Sequence, residues 1–277
     1  MQGRLRHRRH RWVRRTDLFS LPDPGPETFR IKWAETRAEL KQAFSLVHEE
    51  YVRMGYIREP NPARLHFSIH NLLPNASTLV MQKGGETVST LSRIVDDPCF
   101  ALSMDSLYHE ELNVLRDEGR TICEVCALAT SRSHQHSNLF MFLFRTMFVD
   151  SVNNGMDDIC IMVNPKHAAF YKTILLLEEL GGVKFYPRVG APAVALRLDI
   201  REYEERVRYA YLGFEPRYDL HRFFYGNDPE EVPVPLLENE GRRRMDRDSI
   251  TSLLEQERTC LMSLSAHQKN YFFACYT

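Results

Sequence analysis

What the chain has little of narrows its class first. No apolar run approaches the roughly 18 consecutive residues that a membrane-spanning helix requires, and Asp17 to Pro26 stand where a secretory signal would carry its apolar region. A soluble protein of the cytoplasm is the expectation. Cysteine is sparse: Cys99, Cys123, Cys126, Cys160, Cys260 and Cys275 are irregularly spaced in 277 residues. That pattern suits reduced thiols rather than a disulfide framework. Cys123 and Cys126 form one C-x-x-C, yet no second such pair and no H-x-x-x-H follows. On a strand, residues three apart face opposite ways, so neither a zinc site nor a redox pair is supported. His134 and His136 flank Gln135 in a polar loop with no third ligand nearby, and no metal is expected. Acid is missing from residues 1–15, which hold seven arginines (4, 6, 8, 9, 11, 14 and 15). With 36 basic and 37 acidic residues in all, the rest of the chain carries −8 once those seven are set aside. The acidic body argues against nucleic acid as the main substrate. The basic arm reads as a disordered, solvated segment, with docking of an acidic partner as its functional alternative.

What is present is a globular composition, 43% hydrophobic and 26% charged, organised around one carboxylate. In Thr121-Ile122-Cys123-Glu124-Val125-Cys126-Ala127-Leu128-Ala129-Thr130 the β-branched residues and the absence of Gly and Pro predict a buried central strand. Strict alternation places Glu124, Cys126 and Leu128 on one face and Cys123, Val125, Ala127 and Ala129 on the other. A buried ionised Glu must be paired, reach a water-lined cleft, or carry a raised pKa. The first choice is a structural ion pair within the sheet; the others describe a general base.

Around this strand the pattern is β, α, β, β, α, β, α, β, α, β, β. Thr36 and Glu39 form a capping box opening a helix with Leu40, Phe44, Val47 and Tyr51 in one stripe, and Gly55 ends it. Residues 57–75, with three prolines, read as a long irregular segment. Gly84-Gly85 turns a hairpin of Thr78 to Lys83 and Glu86 to Val95. Helices follow at Ser106 to Asp117, at Leu139 to Val149 with Ser137 or Asn138 as cap, and at Pro165 to Leu180 with Gly181-Gly182 as stop. Strands follow at Asp158 to Val163, Val183 to Val189 and Val194 to Leu198. This predicts an α/β (α+β) mixed twisted sheet flanked by helices, parallel in the middle and antiparallel at the hairpins. The expected divisions are residues 1–27, a basic disordered arm and Pro24-Gly25-Pro26 linker; 28–200, the core; and 201–277, a partly helical extension. In the extension, Arg201 to Tyr209 and Ser249 to Leu264 read as helices around a linker at Glu230 to Pro235.

Five stretches in order carry a family resemblance: Leu46-Val47-His48-Glu49-Glu50-Tyr51-Val52, Met104-Asp105-Ser106-Leu107-Tyr108-His109-Glu110-Glu111-Leu112, Glu124 to Ala129, Asn164-Pro165-Lys166-His167-Ala168-Ala169-Phe170-Tyr171 and Gly190 to Leu198. Over roughly residues 29–200 the chain resembles the GNAT acyltransferases and, more closely, the long-chain N-acyl amino acid synthases of the FeeM type. The resemblance implies transfer of an acyl group from acyl carrier protein to the α-amine of an amino acid, with no tightly bound cofactor. Glu124 would be the base, and backbone N–H groups of Cys126, Ala127 and Leu128 the oxyanion donors in a splay between parallel strands. Tyr171 would protonate the leaving thiolate with His167 beside it, and Asn164 belongs to the same motif. Coenzyme-A-dependent members place a glycine-rich turn after the central strand. Ser131 to Ser137 has no glycine, which favours phosphopantetheine on a carrier protein over acyl-CoA, with Arg132 meeting the phosphate or remaining solvated. Arg93 would grip the amino acid's carboxylate or form a rim salt bridge. Two alternatives stay open. An acyl-homoserine-lactone synthase carries an Arg three residues after the Glu, where Ala127 stands here; a catalytically idle GNAT-like module would use the extension to bind a partner or a membrane surface.

Overall fold

The computed structural model describes residues 2–23, 27–135, 137–226, 235, 237–238, 245–257, 259–262 and 264–276. The expected linkers at Pro24-Gly25-Pro26 and through residues 230–234, and His136, lie outside the described residues.

The chain opens with helix α1 (Gln2–Thr16) and strand β1 (Arg30–Trp33), then α2 (Arg37–Arg53), where the capping box between Thr36 and Glu39 is formed in full. The hairpin β2 (Ser77–Lys83) and β3 (Glu86–Val95) turns at Gly84 and Gly85, both at positive φ. Next come α3 (Asp105–Asp117), β4 (Ile122–Thr130), α4 (Leu139–Asn153), β5 (Asp158–Val163), α5 (Pro165–Thr173), β6 (Glu178–Tyr186), β7 (Ala191–Asp199) and α6 (Ile200–Tyr211). Short helices α7 (Leu220–Tyr225), α8 (Arg247–Gln256), α9 (Thr259–Met262) and α10 (Ala266–Ala274) complete the described elements. The sheet order is β1-β2-β3-β4-β5-β7-β6, with β4 and β5 the parallel pair and every other pairing antiparallel. Among the described residues no helix is long and apolar enough to cross a membrane.

One sheet face carries α4, whose Phe142, Leu143, Met147 and Phe148 are buried, together with Tyr203, Val207 and Tyr211 of α6 and Phe223 and Phe224 of α7. On the other face lie α2 and α3, and Ile250, Leu253 and Leu254 of α8 with Phe272 of α10 pack against Leu40, Phe44 and residues 65–73. The extension beyond residue 200 therefore packs back on both faces.

Three expectations need correcting. Residues 2–16 form a helix instead of a disordered arm. Val13 is wholly buried, Leu18 and Phe19 enter the same core cluster, and Arg9 donates to the carbonyls of Thr173 (2.8 Å) and Ala210 (3.0 Å) while lying over the Tyr211 ring. Asn138 stands at the N-cap of α4 as expected; its side chain makes no cap hydrogen bond, and its amide donates to the Thr16 and Asp17 carbonyls. Helix α5 stops at Thr173, because Ile174, Leu175 and Leu177 are drawn into the core and the chain turns into β6. Gly181 lies inside that strand, where a Cβ would stand 2.6 Å from Tyr108 Cδ1. The single helix expected over Ser249 to Leu264 is two, broken at Glu257.

Candidate active site

The geometry of β4 makes the site. It pairs with β5 only from Ile122 to Glu124 (opposite Asp158 to Cys160), whereas β5 continues to Val163 against β7. Beyond Glu124 the two parallel strands part, so among the described residues the β5-facing side of residues 125–130 lies outside the ladder. On its other side β4 carries a bulge: Ser92 opposes Cys126 and Thr90 opposes Ala129, one residue more on β4 than on β3. Ala127 takes up the extra residue at φ +52°, a left-handed conformation that costs a non-glycine residue and clusters at functional sites. The bulge also corrects the alternation. Leu128 packs with Cys123 and Val125 on the α4 side, while Ala127 and Ala129 pack with Leu46 and Val47 of α2.

A groove of about 700 Å³ runs through this split, lined from both sheet faces and within the size range of small-molecule sites. One end is apolar, with Trp12 and Leu18 from the α1 region, Phe140 and Phe144 of α4, and Phe170 of α5. The other end holds Glu124, Ser103, Asn71, Tyr186 and Arg188.

Glu124 is 1% exposed at the split. Ser103 Oγ lies 2.7 and 2.8 Å from its two oxygens, sharing one hydrogen between them, and the Met104 N–H donates at 3.0 Å. Burial raises its pKa above the ordinary glutamate value, and the hydrogen bonds from Ser103 and Met104 oppose that rise. No cation pairs with Glu124 among the described residues, which removes the structural ion pair as the reason for its burial. Its donors are held by the start of α3. The Asp105 carboxylate accepts the Leu102 N–H at 2.8 Å, and Arg116 joins Asp105 to Asp96 through contacts of 2.7 to 2.8 Å.

The structure brings Glu124, Cys126, Ala127, Leu128, Asn164, His167 and Tyr171 to the groove wall and leaves two expected residues out of it. His167 and Tyr171, four apart, share one face of α5. Burial pushes the Tyr171 hydroxyl up to about 12; burial and then Lys166 lower the His167 imidazole. Asn164 caps α5, its Oδ1 accepting the Lys166 N–H at 3.1 Å. Arg93 does not face the groove. It sits opposite Val125 in register, so its side chain passes to the α4 face, wholly buried, where it meets Asp150 at 2.7 Å and Ser151 Oγ at 2.9 Å. One position along, Ile94 shares the Glu124 side, so a single step of the two-residue period separates the expected role from the observed one. Arg132 is exposed on a short 3-10 turn away from the lining. Among the described residues no group of three or more His, Cys, Asp or Glu is placed to hold a metal, and no cysteine is in a disulfide.

Sequence reasoning missed Ser103, Tyr186 and Arg188. Ser103 immediately precedes the Met104-Asp105-Ser106 motif, a proximity that was available as a signal; Tyr186 and Arg188 carried none, because they reach the groove from the far end of β6.

A buried carboxylate at the parting of two parallel strands, in a mixed sheet with a through-groove, defines a GNAT-like acyltransferase. Residues 42–199 match the FeeM family, described as N-acyl amino acid synthase FeeM, and the chain belongs to it. It is an N-acyltransferase. Among solved structures it is similar to FeeM, an N-acyl amino acid synthase from uncultured soil microbes, at 27% identity and TM-score 0.57, over 65% of this chain and 95% of that one. It also shares its fold with BjaI, a CoA-dependent acyl-homoserine lactone synthase solved with MTA, at 14% identity and TM-score 0.53, over 81% of this chain and 98% of that one. No curated protein matches the chain.

Proposed function

We propose that the protein transfers a long-chain acyl group from the phosphopantetheine thioester of acyl carrier protein to the α-amine of an amino acid, in the cytoplasm, with Glu124 as general base. The observation that carries this reading is a desolvated carboxylate, without a counter-ion among the described residues, in the polar end of a groove whose other end is apolar. The apolar half suits the acyl chain and the polar half the amino acid. Glu124, directly or through a water, takes a proton from the ammonium; the freed nitrogen attacks the thioester carbon, and backbone N–H groups of Cys126 to Leu128 meet the charge that develops on the carbonyl oxygen. Collapse breaks the C–S bond. The leaving thiolate takes a proton from Tyr171, a modest demand because a thiolate is a stable leaving group, and the second proton that the nitrogen sheds as it becomes an amide restores the Tyr171 hydroxyl through water.

A carrier-bound donor is favoured over acyl-CoA by the glycine-free turn after β4 and by the outer face of α1. Arg8, Arg11 and Arg15 fall on one stripe of that helix, exposed and without ion pairs among the described residues, while Trp12 on the helix walls the groove. An acidic carrier seated on the stripe would deliver its arm to the apolar end. Lipid mass spectrometry of a host expressing the protein, together with kcat/KM for one acyl chain on both carriers, tests the reading. New N-acyl amino acids and a preference for the carrier protein are expected. Their absence overturns the reaction, and an equal or better coenzyme A thioester overturns the donor.

A further inference from the structure

With Arg93 committed to Asp150 behind the sheet, the groove still needs a group to receive the carboxylate of the amine substrate. Two arginines line the groove. Arg53 is held by Glu50 at 2.6 Å, leaving Arg188 as the lining cation with no carboxylate partner among the described residues. Arg188 sits on the turn Pro187–Val189 between β6 and β7, a turn closed by Gly190 in the left-handed region at φ +59°. One of its terminal nitrogens donates to the Phe67 carbonyl at 3.1 Å, which points the guanidinium across the polar end of the groove. Its field reaches the groups lining that end. The His66 imidazole is pushed down to about 4 by burial, with Arg188 the next cause. The Cys126 thiol and the Tyr186 hydroxyl, both raised chiefly by burial, feel Arg188 and Glu124 with opposite sign. Cys126 and Tyr186 therefore lie within reach of both charges.

We infer that Arg188 seats the α-carboxylate of the amino acid, so that the adjacent α-amine is presented to Glu124. The inference rests on the amino-acid reading above and adds the residue that distinguishes an amino acid from a simple amine. An α-amino acid carries its cation and its anion on one carbon. A base and an unpaired guanidinium bordering the same short stretch of groove, across Cys126 and Tyr186, match that pair of charges. The guanidinium keeps donors in hand for a carboxylate after its bond to Phe67, and a carboxylate accepts a guanidinium fork in a fixed orientation. Such a seat aims the amine as well as binding the substrate, and, with Arg188 itself exposed, it favours amines that carry the acid group through the charge-assisted hydrogen bonds they gain.

The test compares wild type with R188Q and R188K on the amino acid preferred by wild type and on its carboxamide. Wild type should favour the acid. R188Q should raise the KM for the acid about 10- to 100-fold, the loss expected for a charge-assisted hydrogen bond, leave the carboxamide nearly unchanged, and so erase the preference; R188K should restore part of it. The KM for the acyl donor should not move. If Arg188 only braces the Phe67 segment, acid and carboxamide lose activity together, which overturns the inference. If wild type acylates no amino acid, the proposed reaction fails on its own, and calorimetric titration with N-dodecanoylglycine and its carboxamide still reads the seat. Acid-selective binding lost in R188Q supports it; equal binding of the two compounds by wild type overturns it.

Discussion

Two buried acids stand on neighbouring parallel strands and are treated in opposite ways. Asp158, at the start of β5 and wholly buried, is clamped by Arg120 and by Arg197 at 2.6 Å, and both arginines also reach Asp199 at 2.8 Å. Glu124, across the ladder and two residues further along β4, is met by hydrogen bonds from Ser103 and Met104 and by no cation among the described residues. The same contrast divides the arginines, since Arg93 is buried against Asp150 whereas Arg188, exposed, borders the groove without a carboxylate partner among the described residues. Charge that belongs to the scaffold is neutralised within the scaffold. Charge that we propose serves the site is left for a substrate to complete.

The largest effect that can break this comparison is catalytic. E124Q keeps the shape and removes the proposed base, and the expected loss in kcat is about 10² to 10⁴. Because burial raises the folded pKa of Glu124 above its unfolded value, its ionisation takes stability away as the pH climbs from the unfolded to the folded pKa. The Gln variant lacks that loss, so its Tm at pH 8 should equal or exceed that of wild type. In wild type the acid limb of kcat/KM should lie above the ordinary glutamate range. Full activity in E124Q, or a variant that is both inactive and less stable, would erase the distinction between the two acids.

D158N supplies the counterpart. It leaves Arg120 and Arg197 facing Asp199 alone, and breaking one side of a buried ion network costs about 3 kcal/mol. Denaturant unfolding should show that loss, while turnover per folded molecule stays near wild type. A stable D158N protein with impaired kcat would place Asp158 in the site.

The smallest effect belongs to the exposed charges, which neither the scaffold nor the groove neutralises. Changing Arg8, Arg11 and Arg15 to Gln should lower kcat/KM for the carrier-bound donor several-fold at low salt, leave kcat unchanged, and flatten the salt dependence, because screened rim charges act on encounter. Parallel salt curves for the two proteins would remove the stripe from carrier docking.

Much of this arrangement was legible in the chain itself. The capping box at Thr36 and Glu39, the Gly84-Gly85 hairpin, the β4 run and the i, i+4 placement of His167 and Tyr171 are local, because each is decided by residues within one or two turns of one another. The split between β4 and β5 was expected from the family resemblance, and the pairing agrees. The register was not legible. Strict alternation fails at Ala127 because a bulge answers to the neighbouring strand, and the same period of two sent Arg93 to the opposite face.

The sequence by itself determined most of the central strands and helices, that one carboxylate sits in a buried strand, and that residues 1–15 are strongly basic. Tertiary structure alone decided that this basic stretch is helical, since its helix stands on Val13, Arg9 and their contacts with distant residues. It alone decided that Glu124 has no counter-ion among the described residues and that Arg188 comes to border its groove. Local periodicity reports which residues want burial; which charges then meet depends on strand pairings and loop closures between residues tens of positions apart.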